Sequence, residues 1–288
     1  MRVVFVIYFT LIQLGLSPEC EVRADAPPQT EVQVKPEEFS NLRNLVMPPA
    51  VQRVIGGEVT TVEKVGGFIV SLHYEGSFVC GGSLVRERIV LSAAHCFLGR
   101  TKTSLWVVKG GVSNLNDDGP TIDVKDYVIP SAFDQFRMNM DVAVLLLAAP
   151  LVGKNIKKIE LCKTKLLPSM VLTVSGWGLT DPDGTHAQQT LRSVSVPVIK
   201  KKKCKQVYQP SIEITNSMFC ASLLGKKDAC TFDSGGPFVY KDASGHKQLC
   251  GIVSFGIGCA SAKYPGVYTD VNYVKPFILN TIQNFGGE

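Results

Sequence analysis

From Val54 to the C-terminus, short segments rich in Val, Ile and Leu recur at close intervals and are separated by Gly, Asp, Asn and Pro. Residues 68–72, 105–108 and 171–174 are three such segments. Runs of this kind, bounded by turn-forming residues, are typical of β-strands. Because helices do not alternate with them, the pattern argues against a doubly wound α/β fold. Many short strands in one long region predict an all-β fold of two barrels or sandwiches.

Convincing helical periodicity occurs only near the C-terminus. Val274, Ile278 and Ile282 are spaced by four residues, and Phe277 and Phe285 fall beside them on the same helical face. The sequence therefore predicts a C-terminal helix that packs one apolar face against the β-structure.

The N-terminus has the features of an export signal. Residues 3–16 form an apolar run behind Arg2, and the run is too short to span a bilayer. We expect residues 1–24 to be a signal peptide cleaved after Ala24, and the protein to be secreted and extracellular. No later stretch is long and apolar enough to span a membrane, so no membrane association is expected.

The cysteine count fits an exported chain. Of nine cysteines, Cys20 would leave with the signal peptide, and the remaining even number suits a disulfide framework. Residues 25–53 contain no cysteine and are rich in Pro, Glu and Gln, which indicates a flexible pro-segment. Arg53 precedes Val54-Ile55-Gly56-Gly57 and marks a cleavage point, so residues 54–288 would form the mature domain.

Three residues suggest nucleophilic catalysis. His95 follows an apolar segment, Asp141 opens the apolar run 142–147, and Ser234 precedes two glycines. Each alone could be ordinary: a core histidine, a turn aspartate and a tight-turn serine. Together they supply the base, the orienting acid and the nucleophile of a triad. The order His, Asp, Ser differs from that of α/β-hydrolases and subtilisins, and Phe232 stands where a hydrolase elbow needs glycine.

At these motifs the chain resembles trypsin-like serine proteases of the chymotrypsin family. Six motifs match in the family's order across residues 54–288. They are Val54-Ile55-Gly56-Gly57, Leu91-Ser92-Ala93-Ala94-His95-Cys96, Asp141-Val142-Ala143, Ser175-Gly176-Trp177-Gly178, Asp233-Ser234-Gly235-Gly236-Pro237 and Pro265-Gly266-Val267-Tyr268. The resemblance implies two packed antiparallel β-barrels with a C-terminal helix, and a catalytic triad at their junction.

The resemblance also assigns roles to individual residues. His95 would be the general base and acid, Asp141 would orient it, and Ser234 would form the acyl-enzyme. Ser254 would donate a hydrogen bond to Asp141. The backbone N–H groups of Phe232 and Ser234 would form the oxyanion hole.

The same resemblance pairs all eight mature cysteines. The implied disulfides are Cys80–Cys96, Cys162–Cys250, Cys204–Cys220 and Cys230–Cys259.

Cleavage at Arg53 would create a new α-amino group on Val54, and family members supply its anion at the position of Asp233. A buried cation requires such a partner, so the uncut protein is expected to be a zymogen. Both autoactivation and an upstream activating protease fit Arg53.

Asp228 lies where the family's primary specificity pocket has its floor, which implies cleavage after Arg or Lys. Gly256 and Gly266 would leave this pocket open. Ala229 replaces a serine found in many relatives, so a lysine substrate would lose a hydrogen-bond acceptor. Because a guanidinium can still bridge the carboxylate with two hydrogen bonds, we expect Arg to be preferred over Lys.

No cofactor or metal is expected. Val112 falls near a position where calcium-binding relatives carry a glutamate, and Pro265 stands where sodium-responsive relatives have an aromatic residue. The expected partners are protein and peptide substrates, with no nucleic acid, and the expected state is a monomer. Residues 200–205 hold five lysines, which could be a solvated face or a site for an acidic polymer.

Two functions compete. The first is an Arg-directed serine endopeptidase, favoured by the complete triad. The second is a weakly active or non-catalytic homologue that serves as a binding or regulatory protein. Phe232 keeps the second open, because the family uses glycine there and a Cβ restricts the backbone. If the loop accepts Phe232, its ring would narrow the range of substrates and inhibitors.

Overall fold

The computed structural model describes residues 57–178, 189–223, 233–257, 261 and 263–287. All of them belong to one compact unit, Asn41–Glu288. Several predicted features lie outside the described residues: the signal peptide 1–24, the pro-segment 25–53, Arg53, Val54, Asp228, Ala229, Cys230, Phe232 and Cys259.

The N-terminal half of the described chain is a closed antiparallel barrel. Its strands follow the order β2-β3-β4-β7-β6-β5 around the barrel. Their bounds are Ile69–Tyr74 (β2), Ser77–Arg86 (β3), Ile89–Ser92 (β4), Trp106–Gly110 (β5), Thr121–Val128 (β6) and Ala143–Leu147 (β7). All five residues of β7 are buried, which explains why this strand reads as a continuous apolar run.

The second half is an eight-stranded sheet with the order β1-β10-β9-β12-β13-β14-β11, in which β8 pairs in parallel with β13. The bounds are Glu58–Val59 (β1), Glu160–Leu161 (β8), Val171–Gly176 (β9), Arg192–Pro197 (β10), Met218–Ala221 (β11), Pro237–Lys241 (β12), Lys247–Phe255 (β13) and Gly266–Asp270 (β14). The prediction of a largely antiparallel, all-β fold in two halves is confirmed. Strand pairing among the described residues closes the first half into a barrel and leaves the second as a sheet.

Helices are few and short in the described chain. The α-helices are Val62–Val65 (α1), Lys201–Tyr208 (α2) and Val271–Asn284 (α3), and the 3₁₀ helices are Ala94–Phe97 and Thr103–Leu105. The predicted C-terminal helix is α3, where Val274, Ile278 and Ile282 are buried. Periodicity did not reveal α2. No helix in the described ranges is long and apolar enough to cross a membrane.

Apolar burial joins the two halves. One large cluster of buried side chains includes Leu72 and Leu145 from the barrel, Val174 and Ile252 from the sheet, and Ile278 from α3. Three disulfides are formed within the described residues: Cys80–Cys96, Cys162–Cys250 and Cys204–Cys220. These are three of the four pairs that the resemblance implies, and the fourth lies outside the described residues.

Candidate active site

His95 is presented by a short 3₁₀ helix that directly follows β4. Its neighbours Ala94, Cys96 and Phe97 are buried, whereas the His95 side chain keeps 20% of its surface exposed. The Cys80–Cys96 disulfide ties this helix to β3. The imidazole is therefore held by a rigid support and still reaches solvent.

Asp141 lies immediately before β7, and its side chain is completely buried. Its Oδ1 accepts a hydrogen bond from the backbone N–H of His95 at 2.9 Å, and its Oδ2 lies 2.8 Å from His95 Nδ1. The hydroxyl of Ser254 also donates to Oδ2, at 2.5 Å. Donation from Nδ1 to this carboxylate leaves Nε2 as the acceptor nitrogen of a neutral imidazole.

Two opposing effects act on the pKa of Asp141. Burial on its own raises this pKa, because it penalises the charged carboxylate. The positive charge that His95 carries when it is protonated, together with the hydrogen bonds from His95 and Ser254, lowers this pKa by more. The net pKa lies below the ordinary value of an aspartate, so the carboxylate stays ionised although no water reaches it.

Ser254 reaches Asp141 from the second sheet because β13 is irregular at this point. The pairing of β13 with β14 shifts register between Val253 and Phe255. Such a bulge re-aims the side chain of the residue within it. Phe255 pairs with Val267, which sets Gly256 and Gly266 beside each other at the end of the two strands. Both predicted pocket glycines therefore lie directly beyond the last pair of β13 and β14, past the bulge that contains Ser254.

The chain before Asp141 is held in an unusual conformation. Met138 and Met140 have positive φ angles of 54° and 57°, which are uncommon for side chains other than glycine. The hydroxyl of the buried Ser217 accepts a hydrogen bond from Met140 N at 3.0 Å and donates to Asn139 Oδ1 at 3.0 Å. Ser217, which directly precedes β11, thus holds the segment that leads to Asp141 in place.

A second hydroxyl supports the same aspartate. The buried Thr269 on β14 donates to the backbone carbonyl of Asp141 at 2.8 Å. The sequence interpretation did not include Thr269 or Ser217. A single hydroxyl residue has no sequence pattern of its own. The one sequence signal for Thr269 is that it directly follows the motif Pro265-Gly266-Val267-Tyr268.

Ser234 lies in a tight loop that leads into β12. Its carbonyl accepts a hydrogen bond from Gly81 N in the barrel at 2.8 Å, and Gly235 N donates to Val253 O in the sheet at 2.9 Å. Gly235 has a φ of 75°, and a Cβ at this residue would overlap the Ser92 hydroxyl. Only glycine fits there, and this close approach fixes the serine between the two halves.

Asp233, the residue before Ser234, is also buried. Its Oδ1 accepts a hydrogen bond from Gly178 N at 2.9 Å. Glycines line this side of the carboxylate, since a Cβ on either Gly176 or Gly178 would overlap it. The Ser-Gly-Trp-Gly motif thus leaves space for a buried carboxylate beside the serine.

Hydrogen bonds bring His95, Asp141 and Ser254 together across the two halves, and Ser234 is followed by Gly235, which packs against Ser92 and Ala93 just before His95. No hydrogen bond links Ser234 Oγ to His95 Nε2 in the part of the chain that the structure describes. Catalytic hydrogen bonds are often long before substrate binds. A hydroxyl beside an imidazole whose other nitrogen is held by a carboxylate can be deprotonated for attack on a carbonyl carbon.

One group of possible metal ligands lies beside this site. The ligand atoms of Cys80, His95 and Cys96 lie within 4.8 Å of one another. The two sulfurs are joined in a disulfide, so neither is a thiolate, the form that binds metals. This group is therefore not a metal site.

Comparison with known proteins gives a consistent result. The family model described as Trypsin matches residues 54–278. The chain is 55% identical to Seminase of Drosophila melanogaster over 247 residues, which cover 85% of this chain and 88% of that protein. It is 37% identical to the Vitellin-degrading protease of Bombyx mori, covering 81% of this chain and 86% of that protein.

Trypsin zeta of Drosophila melanogaster is 35% identical to the chain over 243 residues, which cover 78% of this chain and 84% of that protein. The region matched by the family model includes His95, Asp141 and Ser234. The chain therefore belongs to the trypsin family and is a serine endopeptidase.

Proposed function

We propose that the protein cleaves peptide bonds after Arg by an acyl-enzyme mechanism in which His95, Asp141 and Ser234 form the catalytic triad. The observation that carries the proposal is the fully buried Asp141 carboxylate, which is bonded to both His95 and Ser254. Activation of a serine requires an imidazole that is held in place by a buried carboxylate. Here the serine lies in a tight loop followed by two glycines.

In this mechanism His95 Nε2 takes the proton of the Ser234 hydroxyl as the oxygen attacks the scissile carbonyl. Asp141 stabilises the resulting imidazolium and keeps its ring in place. His95 then gives the proton to the leaving amine, and an acyl-enzyme remains on Ser234. A water molecule, deprotonated by His95, releases the acyl group and regenerates the hydroxyl.

The developing oxyanion would be bound by the backbone N–H groups of Ser234 and Phe232. The tight turn through Gly235 supports this role, because it fixes the backbone on one side of Ser234. In comparable sites, loss of one such donor lowers kcat by about 10²–10³.

Specificity would come from Asp228 at the floor of the pocket. The exposed Gly256 and the adjacent Gly266 support an open entrance, since neither carries a side chain. Ala229 offers no hydroxyl to a lysine ammonium, whereas Asp228 can receive two parallel hydrogen bonds from a guanidinium. These features together favour Arg over Lys.

Activation would follow cleavage between Arg53 and Val54. The new α-amino group would pair with Asp233, whose burial beside Gly176 and Gly178 supports such a partnership. Because Asp233 immediately precedes Ser234, this ion pair would order the oxyanion loop. The uncut protein is then a secreted zymogen, and either the enzyme itself or another protease could make the cut.

The Phe232 side chain would restrict what can bind. Its ring would crowd the leaving-group side of the scissile bond, exclude bulky protein inhibitors and narrow the range of substrates. Phe232→Gly should therefore increase inhibition by protein inhibitors more than it increases kcat. A rise in kcat of several orders of magnitude would instead mean that Phe232 impairs the oxyanion hole.

The test uses protein cut at Arg53 and a pair of small amide substrates that differ only in Arg or Lys. We expect hydrolysis of both, faster for Arg, and loss of hydrolysis in Ser234→Ala. Asp228→Ala should abolish the preference for basic residues while leaving the triad intact. Unchanged selectivity in Asp228→Ala would refute the pocket assignment, and no turnover after confirmed cleavage would refute the mechanism.

A further inference from the structure

Helix α2 concentrates positive charge on one exposed element. Five lysines lie at its N-terminal end: Lys200, Lys201, Lys202, Lys203 and Lys205. All but Lys201 are exposed. Lys201 is half-buried, and its ammonium donates to the backbone carbonyl of Asn216 at 3.3 Å. The cluster thus presents four mobile ammonium groups to solvent.

This placement is locally unfavourable. A helix N-terminus carries partial positive charge and is stabilised by acidic residues, yet the first turn of α2 has none. Lys200 occupies the N-cap position and makes no side-chain capping bond. Burial and the neighbouring charge of Lys205 both lower the pKa of Lys201. The four exposed lysines form no ion pair with a described residue.

Covalent and apolar contacts hold the helix despite this repulsion. Cys204 is buried and joined to Cys220 on β11, and the ring of Tyr208 is buried one turn further along. Both side chains belong to a small apolar cluster that also contains Ile214 and Met218. The buried face of α2 is therefore anchored to the protein, and the lysines lie on its opposite, exposed face.

The chemistry of the exposed face narrows the choice of partner. It contains no arginine, so its ammonium groups act as point charges and respond to the density of negative charge more than to the geometry of any one anion. Its one aromatic residue, Tyr208, is buried, so no ring is free for nucleobases to stack on. Lys202, Lys203, Lys205 and Gln206 are its exposed residues and form no apolar pocket that would anchor a folded acidic protein.

From these observations we propose that the exposed face of α2 is a binding site for a sulfated polysaccharide. Such a chain is linear, densely negative and lacks both aromatic rings and apolar anchors. Sulfate groups would contact Lys200, Lys202, Lys203 and Lys205, and would relieve the repulsion among them. The site is independent of peptide cleavage, because none of these lysines contacts the triad.

The test measures binding of the full chain to heparin, a sulfated polysaccharide, in about 0.15 M salt, where distant surface charges are screened. The variant is the triple change Lys202→Gln, Lys203→Gln and Lys205→Gln. The matched control changes the exposed lysines Lys102, Lys125 and Lys241 to Gln, which removes the same net charge from other elements. We expect the α2 variant to bind roughly a hundredfold more weakly, since each lysine near an anionic surface contributes about a tenfold effect or less. The control should change binding by less than about threefold.

Two further measurements test whether this binding is specific to the folded protein and to heparin. Heparin should raise the unfolding temperature of the wild-type protein and leave that of the α2 variant unchanged. Polyglutamate and a single-stranded oligonucleotide of equal charge should bind at least about tenfold more weakly than heparin. Equal losses in the two triple variants, absence of wild-type binding, or tighter binding of polyglutamate or the oligonucleotide would each overturn the proposal. If the triple variant does not fold, Lys202→Gln with Lys203→Gln takes its place under the same criteria.

Discussion

The candidate site contains two buried aspartates, and their surroundings differ. Asp141 is enclosed by donors that the fold itself supplies: His95 and Ser254 bond its carboxylate, and Thr269 bonds its carbonyl. Asp233 is equally buried, with Gly178 N bonded to Oδ1 and glycines closing that side. In our proposal its cation is the α-amino group of Val54, which exists only after Arg53 is cut.

Asp141 and its hydrogen-bond donors form a permanent part of the site, whereas in our proposal Asp233 belongs to a conditional part that forms only after cleavage. The environment of Asp141 comes from side chains present in the chain as synthesised, so folding alone brings Asp141 and His95 together. In our proposal, the role of Asp233 depends on the cleavage of the chain at Arg53. Substitutions at Asp141 should therefore affect chemistry directly, and substitutions at Asp233 should affect the response to cleavage.

The largest expected effect is that of Asp141→Asn. An asparagine amide cannot stabilise an imidazolium and favours the wrong tautomer of His95, so kcat of the cut protein should fall about 10⁴-fold, as in the Ser-His-Asp template. Steady-state hydrolysis of a small Arg amide measures it. Asp123→Asn, at an exposed position on β6, is the control and should retain full activity. A decrease in kcat of less than about tenfold would remove Asp141 from the triad.

The second-largest expected effect is that of Asp233→Asn, which tests whether Asp233 couples cleavage at Arg53 to activity. The variant should be cut normally at Arg53 and yet gain little activity, because the oxyanion loop lacks its ion pair. We expect kcat about 10²–10³ lower than in the cut wild-type protein, equivalent to one lost oxyanion donor. Mass spectrometry confirms the cut in the same sample. Wild-type activity in the cut variant would show that Asp233 has no part in activation.

Ser254→Ala should lower the free energy of unfolding, because it removes one of the hydrogen bonds to the Asp141 carboxylate while those from His95 remain. A hydrogen bond from a hydroxyl to a buried carboxylate contributes about 2 kcal/mol to the free energy of unfolding. Chemical denaturation at neutral pH measures the loss. Ser244→Ala is a matched control, because the exposed Ser244 donates a similar hydrogen bond to the partly exposed Asp242. We expect Ser244→Ala to leave the free energy of unfolding unchanged, and equal losses in the two variants would contradict the account.

The same variant has a consequence for pH dependence. The pKa of Asp141 is lowered in the folded state, so its charge stabilises the fold above the unfolded pKa of about 3.9, and this stabilisation is lost as pH falls through the folded pKa. Ser254→Ala removes one lowering contribution and raises the folded pKa. The free energy of unfolding should then fall less between neutral pH and strong acid than in the wild-type protein. A steeper fall would contradict the assignment.

The smallest expected effect is that of Thr269→Val, which keeps the shape of the side chain and removes its donor. Loss of one neutral hydrogen bond to the Asp141 carbonyl corresponds to about 1 kcal/mol. We expect kcat to fall by less than about tenfold with KM unchanged, because the displaced group orients His95 and does not touch substrate. Thr101→Val at an exposed position should change neither. A change confined to KM would show that Thr269 acts on substrate binding.

How much of this could be predicted from sequence depends on how each residue is encoded. The strands followed from runs such as 142–147, and the helix α3 from its apolar period. Helix α2 was not predicted because only Cys204 and Tyr208 of its eight residues are buried and four others are lysines, so its apolar face is too short to give a detectable period.

Within the candidate site, His95, Asp141 and Ser234 could be proposed from the sequence because each lies in a distinctive local pattern. Ser217 and Thr269 were not, because their hydroxyls act through contacts across the molecule and isolated Ser or Thr residues have no local signature. The positive φ angles of Met138 and Met140 were equally hidden, since methionine gives no indication of a left-handed conformation. Asp228 and Phe232 stay predictions.

The most direct test of the distinction between the two aspartates is kcat/KM for one small Arg amide, measured before and after cleavage at Arg53. The account predicts very low activity in the uncut protein, a rise of at least about 10²-fold on cleavage as the oxyanion loop orders, and loss of that activity in Ser234→Ala. Equal activity before and after confirmed cleavage would contradict it.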